Sequence, residues 1–130
     1  MLDKVEYWLE LCDDDLKAAK AMLQTKNLLW TGFILHLVAE KAIKAAVASV
    51  TNEVPPKSHD LPKLASKTYV FDEIPDEYKK LLGKLTPLQI EARYPEYKEK
   101  ITAMLTDEYC KKLLVQTEAF LCWTKKKLGK

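Results

Sequence analysis

The segment from about Leu29 to Ser49 constrains the fold more than any other. It is rich in alanine and leucine-like residues, free of proline, and keeps its one glycine, Gly32, in the first turn, so it reads as a long helix. The segment is apolar almost all round, and such a helix must be surrounded by other elements. Its polar exceptions stand in register. His36, Glu40 and Lys44 follow at i, i+4 and i+8 and form a narrow stripe, with Lys41 beside it. This stripe is expected to meet water, a partner or a ligand, either inside a dimer interface or along an open cleft.

Two further long helices can supply the surroundings. Val5, Trp8, Leu9, Cys12, Leu16, Ala19 and Leu23 recur at three- and four-residue steps and place an apolar stripe along a helix from about Leu2 to Thr25. Tyr109, Leu113, Gln116, Phe120 and Lys127, widened by Leu114, Leu121 and Leu128, define another from about Asp107 to Leu128. All six prolines fall between these long helices. Asn52 to Ser58, with Pro55-Pro56, reads as a loop. Asp60 is the N-cap of a short helix that tolerates Pro62 in its first turn and runs to about Lys67. Pro75-Asp76-Glu77 opens a medium helix to about Lys84, Thr86-Pro87 interrupts it, and one or two turns from Leu88 end where Pro95 disfavours helical geometry at Tyr94.

The expectation is a single all-α domain over residues 1–130, an antiparallel up-and-down bundle of four to five helices. The chain is long enough for one real core, and 48% of it is apolar. A net charge of +2 gives no field that selects nucleic acid, although it leaves RNA open. The Lys125-Lys126-Lys127 cluster reads as a solvated helix end, and Asp13, Asp14 and Asp15, whose directions differ by about 100° per residue, as a solvated face rather than a metal site. Cys12, Cys110 and Cys122 lie among apolar helical residues, show no Cys-x-x-Cys spacing, and are expected to be buried thiols of a cytoplasmic protein. No apolar stretch reads as a membrane span. His36 and His59 lie on different elements without an ordered ligand pattern, and no phosphate loop or nucleophile elbow is present, so neither metal nor cofactor is expected. Trp8, Trp30 and Trp123 read as core or interface anchors.

Arg93 is the only arginine, beside twenty lysines, and sits in Ala92-Arg93-Tyr94-Pro95. A planar five-donor fork suits two-point contact with a carboxylate or phosphate in a way lysine cannot match. Three strings in order give the chain a recognisable shape: Phe33-x-x-His36-x-x-Ala39-Glu40-Lys41-Ala42-Ile43-Lys44-Ala45, then Ser58-His59-Asp60-Leu61-x-x-Leu64, then Leu85-Thr86-Pro87 leading to Ala92-Arg93-Tyr94-Pro95. Together they resemble the HEPN domain family (higher eukaryotes and prokaryotes nucleotide-binding) over nearly the whole chain.

The resemblance implies a helical bundle that is commonly a homodimer and is often paired with a small nucleotidyltransferase in a toxin–antitoxin-like system. Catalytic members are metal-independent endoribonucleases whose signature is an arginine followed four to six residues later by histidine. Here no histidine follows Arg93 at all. The pattern therefore favours a non-catalytic binding module, with a divergent endoribonuclease or toxin as the alternative. In the nucleotidyltransferase substrate-binding-subunit-like branch, the ligand-binding residues carry over as Glu40, Lys41, Lys44, His59, Asp60, Arg93 and Tyr94. A phosphate would lie between Lys41 or Lys44 and Arg93, with a base on Tyr94 or Trp30. Arg93 equally suits a buried salt bridge to Glu40 or Asp60.

Overall fold

A computed structural model describes residues 3–51, 60–66, 68, 72–89 and 95–130, with the backbone alone at 95–98. The described residues form six α-helices and a 3-10 turn: α1 (Lys4–Gln24), α2 (Leu28–Val50), α3 (Leu61–Ala65), α4 (Asp76–Leu85) followed by the turn at Thr86–Gln89, α5 (Pro95–Met104) and α6 (Asp107–Lys127). No strand occurs among them. The fold is all-α, and no helix among the described residues is long and apolar enough to cross a membrane.

Local chemistry sets the helix ends. Asp3 accepts from the Glu6 amide at 2.7 Å, and Thr106 accepts from the Tyr109 amide at 3.1 Å, each relieving an amide that has no helical partner. At the end of α1 the Lys26 amide donates to Leu23 O and the Asn27 amide to Met22 O. This pair of bonds forces Lys26 into the left-handed region, with φ 63°. The chain then turns within three residues and α2 returns along α1: Trp8 lies beside Lys44, and Cys12 Sγ beside Val38 O. Along α6, Lys20–Glu118 at 2.9 Å, Asp13–Lys125 at 2.6 Å and Glu6–Lys130 at 3.1 Å run in the opposite sense to α1. So α1 is antiparallel to both α2 and α6.

The third arm of the bundle is α4, which runs back along α2 with Leu85 beside His36 and Leu88 beside Gly32. A β-carbon on Gly32 would stand 3.0 Å from Leu105 Cδ1 and 3.3 Å from Leu88 Cδ1, so the missing side chain is what lets both leucines nest on the central helix. The core joins Leu9, Cys12, Leu16 and Ala19 of α1 to Leu35, Val38, Ala42 and Ile43 of α2, to Leu81, Leu82 and Leu85 of α4, and to Leu113, Phe120 and Leu121 of α6.

Several expectations shift. Pro95 opens α5, a helix not read from the sequence, and occupies its first position, where a missing amide costs nothing. Pro75 caps α4 from outside, one residue earlier than read. On α6 the seam is Cys110, Leu113, Thr117, Phe120 and Thr124, while Gln116 and Lys127 are exposed. Thr124 is tolerated inside because its hydroxyl donates to Phe120 O at 2.9 Å. Cys12 and Cys110 are buried as expected, but Cys122 is exposed. Asp13 and Asp15 both hold lysines, as does Glu73 with Lys127 at 2.6 Å, so neither the aspartate run nor the lysine tail is merely solvated. The loop at 52–58 and the residues after Gln89 as far as Tyr94 lie outside the described residues.

Candidate functional site

The inner two residues of the polar stripe of α2, His36 and Glu40, turn inward, which corrects for them the expectation that the stripe meets water, a partner or a ligand, while Lys44 stays partly exposed. His36 is fully buried and Glu40 is 4% exposed. The His36 ring nitrogen Nδ1 lies 2.9 Å from Leu85 O. A carbonyl can only accept, so Nδ1 carries the hydrogen and donates it to the last residue of α4, where carbonyls run out of helical donors. The other nitrogen, Nε2, lies 3.5 Å from Glu40 Oε1, and the second carboxylate oxygen of Glu40 lies 3.4 Å from Lys44 Nζ. The column thus grades from a buried imidazole through a buried carboxylate to an ammonium whose side chain is 18% exposed.

At its outer end this column meets α1. Lys44 Nζ lies 5.3 Å from the centre of the Trp8 ring, within cation–π range. Lys41, three residues earlier on α2, reaches across to Asp15 of α1, with Nζ 2.5 Å from Oδ2. The α1–α2 edge therefore displays two ammonium groups, an indole face and two carboxylates, balanced in charge.

The described parts of the three sequence strings meet at the inner end of the column. His36 bonds Leu85, and the Leu61 amide donates at 3.3 Å to Thr86 Oγ1, which itself donates at 2.8 Å to Leu82 O. Thr86 thereby fastens the start of α3 to the end of α4. Asp60, one residue before, is exposed and accepts from the Lys63 amide at 3.2 Å, the N-cap role read from sequence. Of the candidate ligand residues, Glu40 and Lys44 are in contact, Lys41 is on the same edge with Asp15, and Asp60 caps its own helix. His59, Arg93 and Tyr94 lie outside the described residues, as does any pairing of Arg93 with Glu40 or Asp60.

Trp30 does not belong to this site. It is 56% exposed, stands edge-on to Phe33 with ring centres 5.8 Å apart, and at 1.5 Å per residue lies roughly 21 Å along α2 from Lys44, too far to hold the base of a nucleotide whose phosphate Lys44 grips. The aromatic group at the site is Trp8, whose i, i+7 relation to Asp15 on α1 is the signal by which sequence reasoning could have found it. Among the described residues no group of three or more His, Cys, Asp or Glu side chains is placed to hold a metal ion.

Comparison with known proteins places the chain in a family. The fold is similar to that in the crystal structure of TT1696 from Thermus thermophilus, with a TM-score of 0.82 at 19% identity over 97% of this chain and 99% of that one. A search of curated proteins finds no match. A family model described as the HEPN domain matches residues 5–128, and the chain belongs to the HEPN domain family.

Proposed function

We propose that this HEPN domain is a non-catalytic binding module that holds the phosphate of a nucleotide at the Lys41–Lys44 edge. In this reading it acts as a homodimer beside a small nucleotidyltransferase, in a toxin–antitoxin-like setting. Family membership supports a nucleotide-related role in general.

The observation that carries binding over cutting is the state of His36. A general base for RNA cleavage must reach the ribose hydroxyl. His36 is fully buried and its Nδ1–H is committed to the backbone of α4. No histidine follows Arg93 to supply the missing partner. Lys41 and Lys44, by contrast, stand at the surface end of the column, where an ammonium can meet a phosphate.

The test is calorimetric titration of the purified chain with the four nucleoside triphosphates, alongside incubation with single-stranded RNA. Saturable binding weakened by Lys44→Ala, with intact RNA, is the expected result. RNA cleavage that disappears in Arg93→Ala at unchanged stability would overturn the reading. Co-purification with a nucleotidyltransferase expressed beside it tests the partner.

A further inference from the structure

The two lysines of the α1–α2 edge are paired in unlike ways. Glu40, which holds Lys44, has a side chain only 5% exposed, so stripping Lys44 from it would strand a buried carboxylate. Lys44 also rests on the Trp8 ring. Asp15, which holds Lys41, has a side chain 22% exposed, and Lys41 is 21% exposed. The Asp15 carboxylate can rotate into water when it gives up its partner. Lys41 is therefore the cation that an incoming anion can take at small cost, while Lys44 stays anchored between carboxylate and indole.

We infer that Asp15 is a built-in counter-ion that occupies the Lys41 anion position, and that a phosphate ligand enters by exchange with this carboxylate. Asp15 then sets the affinity of the site without touching the ligand in its bound state, a positioning role for a residue that sequence alone places on a solvated face. The inference rests on the reading of Lys41 and Lys44 as phosphate contacts. It adds that the free protein holds that position closed by its own charge. Asp14, adjacent in sequence and exposed, carries the same formal charge without facing Lys41, and provides the control for net charge alone.

The experiment titrates inorganic tripolyphosphate and ATP into the wild-type chain, Asp15→Asn, Asp14→Asn and the Asp15→Asn/Lys41→Ala double variant, at one ionic strength. Thermal unfolding of each variant establishes that it is folded. Asp15→Asn should bind about fivefold more tightly, the equilibrium equivalent of one surface ion pair that no longer has to be broken. Asp14→Asn should match wild type, and the double variant should lose the gain. Wild-type affinity in Asp15→Asn, with ATP still bound, would overturn the exchange while leaving the phosphate site standing. An equal gain in Asp14→Asn would also overturn it, since bulk charge would then suffice. Failure of every variant to bind either probe would remove the phosphate site itself, and the exchange with it.

Discussion

The His36–Leu85 hydrogen bond is the joint through which α4 is fixed on the central helix, and its two ring nitrogens can be tested separately. Asparagine places its amide near the position of Nδ1, whereas glutamine places it near Nε2. Histidine and asparagine have similar helix propensities, so the comparison is not dominated by the backbone. His36→Ala removes a buried ring and the donor to Leu85 O together. The lost packing and the lost donor each cost about 2 kcal/mol, for a total near 4 kcal/mol. His36→Gln keeps a polar group toward Glu40 but withdraws the donor from α4, and should cost about 2–3 kcal/mol. His36→Asn keeps that donor and loses only part of the ring, and should cost about 1–2 kcal/mol.

Urea unfolding at neutral pH measures these differences directly. Against a total stability of roughly 5–15 kcal/mol for a domain of this kind, His36→Ala should leave a visibly weakened protein. Its midpoint of thermal unfolding should fall by about 12–16 °C, at about 3–4 °C per kcal/mol for this length. The order Asn, then Gln, then Ala is the content of the argument. A glutamine variant more stable than the asparagine one would refute it, because the bond to Leu85 would then matter less than the contact with Glu40. An alanine variant within about 1 kcal/mol of wild type would show that the bond to Leu85 O does not secure α4.

Three shorter tests address other parts of the fold. Lys26 holds φ 63° at the end of α1, where glycine bears no steric penalty, so in an Asp107→Asn background, which already lacks the Lys26–Asp107 ion pair, Lys26→Gly should raise stability by about 0.5–1 kcal/mol in thermal unfolding. Burial pushes the Cys12 thiol up to about 12 and Cys110 to about 11, whereas Cys122 is exposed. The native protein should therefore release one equivalent rapidly to a thiol reagent near neutral pH and all three only after denaturation; two rapid equivalents would contradict the packing of α1 or α6. Hydrogen bonds from Lys26 and then Lys111 hold the Asp107 carboxyl below its ordinary value. Its contribution is fully present above the unfolded pKa and lost as pH falls through the lower folded one. Asp107→Asn should be less stable than wild type at neutral pH, with the gap closing as pH falls through the lowered folded value of the Asp107 carboxyl.

Periodicity was enough to locate the long helices, because Leu9, Cys12, Leu16 and Ala19 repeat with the helix and meet the core at each step. It served less well where an element touches two neighbours. The seam of α6 faces α1, α2 and α4, and its buried face runs through Thr117 instead of Gln116 and takes Thr124 inside. Pro95 shows a different limit. Proline restricts the residue before it and also suits the first residue of a helix, so it marks a boundary without saying on which side the helix lies.

The polar stripe was legible as a stripe, but the inward direction of His36 and Glu40 was not, for a reason that bears on function. Nothing near His36 in sequence announces its acceptor, which is Leu85, 49 residues away. A polar residue on an apolar helix is expected to seek water unless a buried partner is known to be waiting. Here the end of α4 supplies that partner, and Glu40 follows the imidazole into the interior because Lys44 can bridge from the carboxylate back to the surface. The same folding event that anchors α4 therefore divides the stripe's labour. Its inner half is spent on the bundle, and its outer half is left at the α1–α2 edge as Lys44 on an indole, beside Lys41 on a partly exposed aspartate. Under the proposed exchange, a phosphate would replace the Asp15 carboxylate at Lys41, chemistry that needs no buried histidine to move a proton.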